Sequence, residues 1–126
     1  MNKGKGVEEL EVFKRSHQLT LTVYGVTEKF PDDEKFGLIS QMRRAATSIP
    51  ANLIEGGERV GRLEYRRFVS IAKGSAGELK YYFLLAKDLG YISGNDYSVF
   101  KGQIEEIGKM LSGLVKTLST TKERKN

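Results

Sequence analysis

Apolar residues recur along this chain at steps of three and four, the period of an α-helix, over four separate stretches. In the first, at about residues 12–30, Val12, Ser16, Leu19, Val23, Val26 and Phe30 share one side, and Phe13, His17, Leu21 and Tyr24 widen it. Pro31-Asp32-Asp33 then stops the helix and offers an aspartate N-cap for the next. In the second, at about residues 34–56, Leu38, Ile39, Met42, Ala45, Ala46, Ile49 and Leu53 form the apolar face. Pro50 lies inside this stretch, where it removes the hydrogen bond to the Ala46 carbonyl and crowds the turn before it. An interior proline costs roughly 3 kcal/mol relative to alanine. The apolar pattern nonetheless continues through Leu53, so one helix kinked at Pro50 is expected, ending at Gly56-Gly57.

The third stretch, at about residues 63–89, places Tyr65, Phe68, Ala72, Ser75, Ala76, Leu79, Tyr82, Phe83, Ala86 and Leu89 on one face, with Gly90 at the C-terminal glycine position. In the fourth, at about residues 94–118, Tyr97, Phe100, Ile104, Ile107, Leu111, Leu114 and Leu118 alternate steps of three and four. Ser93 followed by Asp96 resembles a capping arrangement for it. No strand pattern competes, and the connections are short, so consecutive helices must run antiparallel. The expectation is all-α: an up-down-up-down antiparallel four-helix bundle in a single domain over residues 1–126. Flexible tails are expected at residues 1–8 and 119–126.

Composition narrows the chemistry. With 126 residues, 39% hydrophobic and 29% charged, the chain has the balance of one soluble globular domain. It has no cysteine, which removes disulfides and thiolate metal sites and fits a reducing cytoplasm. The N-terminal segment has no apolar run of the signal-peptide kind, and no stretch approaches the ~20 apolar residues that span a bilayer, so no membrane partner is expected. The net charge of +5 favours acidic partners such as nucleic acid, although the same charge also serves as a solubilising surface.

The run Arg43-Arg44-Ala45-Ala46-Thr47-Ser48-Ile49-Pro50-Ala51-Asn52-Leu53-Ile54-Glu55-Gly56 resembles the signature of the four-helix-bundle proteins encoded in intervening sequences of bacterial 23S ribosomal RNA genes. Phe68-Val-Ser-Ile-Ala-Lys-Gly-Ser-Ala-Gly-Glu-Leu79 and Leu85-Ala-Lys-Asp-Leu-Gly-Tyr91 resemble two further family motifs. Ile54 departs from the alanine usual before the signature glutamate. The resemblance implies a bundle that assembles as a homopentamer. It also implies a distant likeness to the accessory protein of diversity-generating retroelements, a basic pentamer associated with nucleic acid and a reverse transcriptase. The family has no established activity, and its link to ribosomal RNA is one of gene location.

Three helical stripes are candidates for function. Gln41, Arg44, Ser48, Asn52 and Glu55 form a polar ribbon on the second helix, expected roughly opposite its apolar face and read as a seam between subunits. Arg66, Lys73, Lys80 and Lys87 recur every seven residues on the third helix and line one side over roughly 30 Å. Arg59 and Arg62 extend this charge into the preceding turn, and such a line suits phosphates. Ser70, Gly74, Gly77 and Tyr81 form a small-residue face on the same helix. Two interior glycines cost roughly 1 kcal/mol each against alanine, so this face suggests close approach by another backbone. Solvation alone or packing within the bundle would also explain these stripes, and direct RNA contact is a further reading of the second-helix ribbon.

Catalytic chemistry is not expected. His17 is the sole histidine and reads as a residue at the edge of the core; the Glu-x-x-His pairs of di-iron bundles are absent. No nucleophile has a plausible base, so no metal, cofactor or small-molecule substrate is expected. Gly74-Ser-Ala-Gly77 lacks the strands its loop motif needs for RNA binding, and Gly56-Gly-Glu-Arg-Val-Gly61 lacks the lysine of a phosphate loop. The sequence therefore points to a non-enzymatic, basic, oligomeric bundle that binds RNA or DNA through the third-helix cations. The alternative is a scaffold that docks a nucleic-acid-processing protein.

Overall fold

The structure, a computed structural model, describes residues 6–124, with side chains through Ser119. Among the described residues there are four α-helices and no strand: α1 (Glu11–Thr27), α2 (Leu38–Glu58), α3 (Arg62–Asp88) and α4 (Gly94–Arg124). α3 packs most extensively, against α2 on one side and α4 on the other; α1 leans on α2 and touches α4 only lightly. Cross-helix contacts pair the middles of successive helices, where Thr20 meets Ala46 and Ser48 meets Ser75, and join the start of α3 to the far end of α4, where Arg66 meets Ser119. This is the antiparallel order that short connections dictate.

The core is the set of apolar faces read from the sequence, with Val23, Met42, Ile49, Leu53, Leu79, Phe83, Ile107 and Leu111 almost wholly sealed. Val69 is also sealed, although it lies outside the expected face of α3, and Leu89, expected inside, is half exposed. Of the second side expected on α1, only Phe13 packs against the core. Leu21, Tyr24 and His17 face solvent, because only α2 and the thin α4 contact cover that helix. His17 stacks on Phe13 at the surface, rings 6.1 Å apart, instead of packing at the core edge.

α2 runs unbroken through Pro50. The Ala46 carbonyl that Pro50 deprives of a donor is met from the neighbouring helix, where buried Thr20 donates its hydroxyl at 3.1 Å. The single hydroxyl proton is shared with the Ser16 carbonyl at 2.8 Å, so the bond is bifurcated between the two helices. Leaving a buried carbonyl unpaired costs roughly 1–3 kcal/mol, which a cross-helix hydroxyl avoids. Among the described residues no buried side-chain polar atom lacks a partner.

The helix ends follow local chemistry, with corrections. Asp32 and Asp33 do not cap α2. Asp32–Glu34 forms a short 3-10 turn, the helix begins at Leu38, and Glu34 Oε1 accepts from the Leu38 N–H at 3.0 Å. Gly56-Gly57 does not end α2, which continues to Glu58. Gly56 is instead required for packing, since a Cβ there would lie 2.9 Å from the Phe68 Cβ and 3.3 Å from the Tyr65 carbonyl oxygen. Gly90 does end α3, with φ +82°. The Gly90 N–H bonds the Lys87 carbonyl and the Tyr91 N–H bonds the Ala86 carbonyl, both at 2.9 Å, a Schellman closure. Ser93 Oγ accepts from the Asp96 N–H at 3.0 Å and caps α4. The tail expected from Ser119 is helical as far as Arg124, and Val7–Glu9 forms a 3-10 turn against α2. Residues 1–5 and 125–126 of the expected tails lie outside the described residues.

Glu34 also ties the α1–α2 corner to the α3–α4 corner, because Tyr91 Oη donates to its Oε2 at 2.9 Å. That hydrogen bond, then burial, then the nearby carboxylates raise the Tyr91 pKa above its ordinary value near 10. Stability held by the neutral phenol is complete below that ordinary value and is lost as pH rises through the raised one. Thermal melts between about pH 8 and about pH 11 should therefore fall less steeply for Tyr91→Phe than for the wild type. Equal slopes would remove the Glu34 link from the alkaline limb.

Candidate functional site

The polar ribbon of α2 divides into two parts. Ser48 and Asn52 turn toward α3: the Ser48 and Ser75 hydroxyls lie 2.8 Å apart, and Asn52 Nδ2 donates to Ser48 O at 2.8 Å and Oγ at 2.9 Å. This part is a seam within one chain, not a face opposite the core. α2 and α3 approach closely enough at this level for two serines to fill the interface. Gln41, Arg44 and Glu55 remain exposed, and Glu55 pairs with Arg59 one turn on, at 2.7 Å.

The cations of α3 do share one side, and that side borders α4. Arg66 Nη1 donates to Ser119 Oγ at 2.7 Å. Lys80 pairs with Glu105 of α4 at 2.8 Å, and this contact leads the causes that lower the Glu105 pKa. Lys87 lies 4.8 Å over the Tyr97 ring and 3.6 Å from Asp88. Only Lys73 of the four makes no side-chain contact of these kinds among the described residues. Arg59 is committed to Glu55 and stacks at 5.0 Å on Phe68, whereas Arg62 is half-buried and unpaired. Half-exposed ion pairs contribute roughly 0–1 kcal/mol, so a phosphate could displace them, but the stripe is not a row of free charges.

Ser70, Gly74, Gly77 and Tyr81 face solvent together on the side of α3 away from the core. A Cβ built on Gly74 or Gly77 would meet nothing within 4 Å, so packing within the chain does not require either glycine. Leu63, Ile71, Tyr81 and Leu84 stand exposed on or beside this face. Tyr82, at the α2 boundary, has its pKa raised by burial first and by Glu78 second, with Arg44 opposing.

A further surface was not singled out by sequence periodicity. The α1–α2 corner and the outer side of α2 enclose an open groove of about 670 Å³, lined by Tyr24, Lys35, Phe36, Arg43 and Arg44 among others. Phe36 is 91% exposed, and Lys35 Nζ lies 5.9 Å from its ring. Arg43 lies 4.5 Å over the Tyr24 ring; it donates from Nε to Thr27 Oγ1 at 2.9 Å and from Nη2 to the Tyr24 carbonyl at 3.2 Å. The available signal was a phenylalanine beside a lysine in a polar turn, which has no helical face to bury it. Among the described residues, no group of three or more His, Cys, Asp or Glu could hold a metal ion, and no helix is long and apolar enough to cross a membrane.

The fold and sequence have relatives. A solved structure from Bacteroides thetaiotaomicron VPI-5482, described as a protein with unknown function from the S23 ribosomal protein family, superposes with a TM-score of 0.77. It is 25% identical in sequence, and the alignment covers 83% of this chain and 95% of that one. No relative was found among curated proteins. The family model for the 23S rRNA-intervening sequence protein matches residues 8–113, which take in α1 to α3, most of α4 and all three motifs quoted above. The chain belongs to the 23S rRNA-intervening sequence protein family.

Proposed function

We propose that this protein is a non-enzymatic structural subunit that assembles with copies of itself, as a homopentamer, and presents basic charge to nucleic acid in the cytoplasm. The observation that carries the reading is the outer face of α3. Gly74 and Gly77 cost helix stability of roughly 1 kcal/mol each and contribute nothing to packing within the chain. A partner backbone pressed against them is a return for that cost, and the flanking Leu63 and Tyr81 supply apolar area for the same contact. The absence of cysteine and the +5 charge agree with a reducing compartment and an anionic partner.

The engagement of Arg66, Lys80 and Lys87 with α4 favours a second reading beside direct phosphate tracking by α3. In it the assembled bundle docks a nucleic-acid-processing protein, and the α3 cations chiefly join helices. The experiment is light scattering on the wild type and on Gly74→Leu/Gly77→Leu. The wild type should weigh several times the 14.1 kDa chain. The double variant should remain helical by circular dichroism but dissociate, since overpacking a close contact costs on the order of 1–3 kcal/mol. A monomeric wild type, or a variant that assembles equally well, would remove α3 as the interface.

A further inference from the structure

We propose that the groove at the α1–α2 corner binds a short segment of single-stranded nucleic acid. It needs one chain only, so it is tested apart from assembly. Three cations border the groove, Lys35, Arg43 and Arg44, and no acidic residue lines it. Arg44 is exposed and unpaired among the described residues, unlike Lys80 or Arg59. Arg43 is held in place by Thr27 and the Tyr24 carbonyl, so ordering it on a phosphate has little entropic cost. Beside these charges stand two aromatic rings, Phe36 at 91% exposure and Tyr24 at 43% with one face under the Arg43 guanidinium, so Phe36 is the principal stacking platform.

An anionic backbone with planar groups matches both features. Cations that follow phosphates, interleaved with rings on which bases stack, are the means by which single strands are held without sequence readout. A duplex keeps its bases inside and presents a convex surface, which suits neither the exposed rings nor a concave groove. An acidic peptide would satisfy the cations but would leave Phe36 with no planar partner. Ser40 adds a free hydroxyl on the groove wall for sugar or phosphate oxygens.

The test is fluorescence anisotropy with a labelled single-stranded RNA of mixed sequence, repeated over a salt series. The same strand as a duplex and a polyglutamate peptide serve as competitors. Single strand should bind and outcompete both. Phe36→Ala should weaken binding about 10-fold, the effect of losing one stacked base. Arg44→Glu should weaken it and lower the magnitude of the salt slope by about one. Lys116→Glu, exposed on α4 and outside every candidate stripe, should change affinity less than twofold. Both groove residues are exposed, so melts of the variants should match the wild type and separate binding from folding. No binding at low salt, equal competition by duplex or polyglutamate, or a Lys116→Glu loss equal to that of Arg44→Glu would overturn the proposal. So would a Phe36→Ala variant that changes the assembly mass by light scattering while binding RNA unchanged, which would assign the groove to a second copy of the chain.

Discussion

Phe83→Ala is expected to cost about 3–5 kcal/mol of unfolding free energy, the largest stability effect of any single substitution considered. Phe83 is 1% exposed, and its ring lies 5.3 Å from that of Phe100, so α3 is fastened to α4 at this point. Its neighbours Leu79 and Ala86 on the same face are fully buried. Truncation would leave a cavity in a layer whose backbones are held by packing on both flanks, and the surrounding helices could collapse only partly. Urea melts give the magnitude, with Val99→Ala as control. Val99 adjoins Phe100 but is 49% exposed, and its loss should cost under about 0.5 kcal/mol. A Phe83→Ala cost below about 1 kcal/mol would mean that the α3–α4 layer is not closed as described.

The second large effect concerns the proline in α2 and is read as a coupling. Thr20→Val retains the shape of the side chain but withdraws the hydroxyl from the Ala46 carbonyl, which Pro50 cannot satisfy. The carbonyl is then a buried acceptor without a donor, and the substitution should cost roughly 1–3 kcal/mol. The Ser16 carbonyl, also reached by Thr20, lies within α1 and retains its helical donor. In a Pro50→Ala background, residue 50 regains an N–H for Ala46, and the cost of Thr20→Val should fall to about a third or less. The double-mutant cycle should thus show a coupling of about 1 kcal/mol or more between two residues on different helices. Equal costs in both backgrounds would show that Thr20 does not serve the gap left by Pro50.

These two sites mark how far the sequence could be read. The burial of Phe83 was legible because its neighbours on the helical face, Leu79, Ala76 and Ala86, are apolar at regular steps. The orphaned Ala46 carbonyl was legible as well, since proline's missing N–H is a local fact. Thr20 was not: it lies 26 positions earlier in the chain, and no periodicity ties it to Ala46. The α3 cations show the same limit. Their seven-residue spacing correctly placed Arg66, Lys73, Lys80 and Lys87 on one side, but it could not show that this side borders α4. There Glu105, Ser119 and Tyr97 engage three of the four. Ser48 and Asn52 likewise fell on the expected ribbon, yet the ribbon faces Ser75.

Sequence alone determined the number of helices, their approximate bounds, most of the core and the family, because each follows from residues near one another in the chain. The 3.6-residue period sets a face, glycine with positive φ ends a helix, and the motif run identifies its relatives. Tertiary structure alone decided which neighbour each polar face meets: that Thr20 completes Pro50, that most α3 cations lean on α4, and that Phe36 and Arg44 share one open groove. Those pairings depend on the rotation and separation of packed helices. A fraction of a turn moves a side chain from solvent to a partner, and a one-dimensional pattern does not contain that angle.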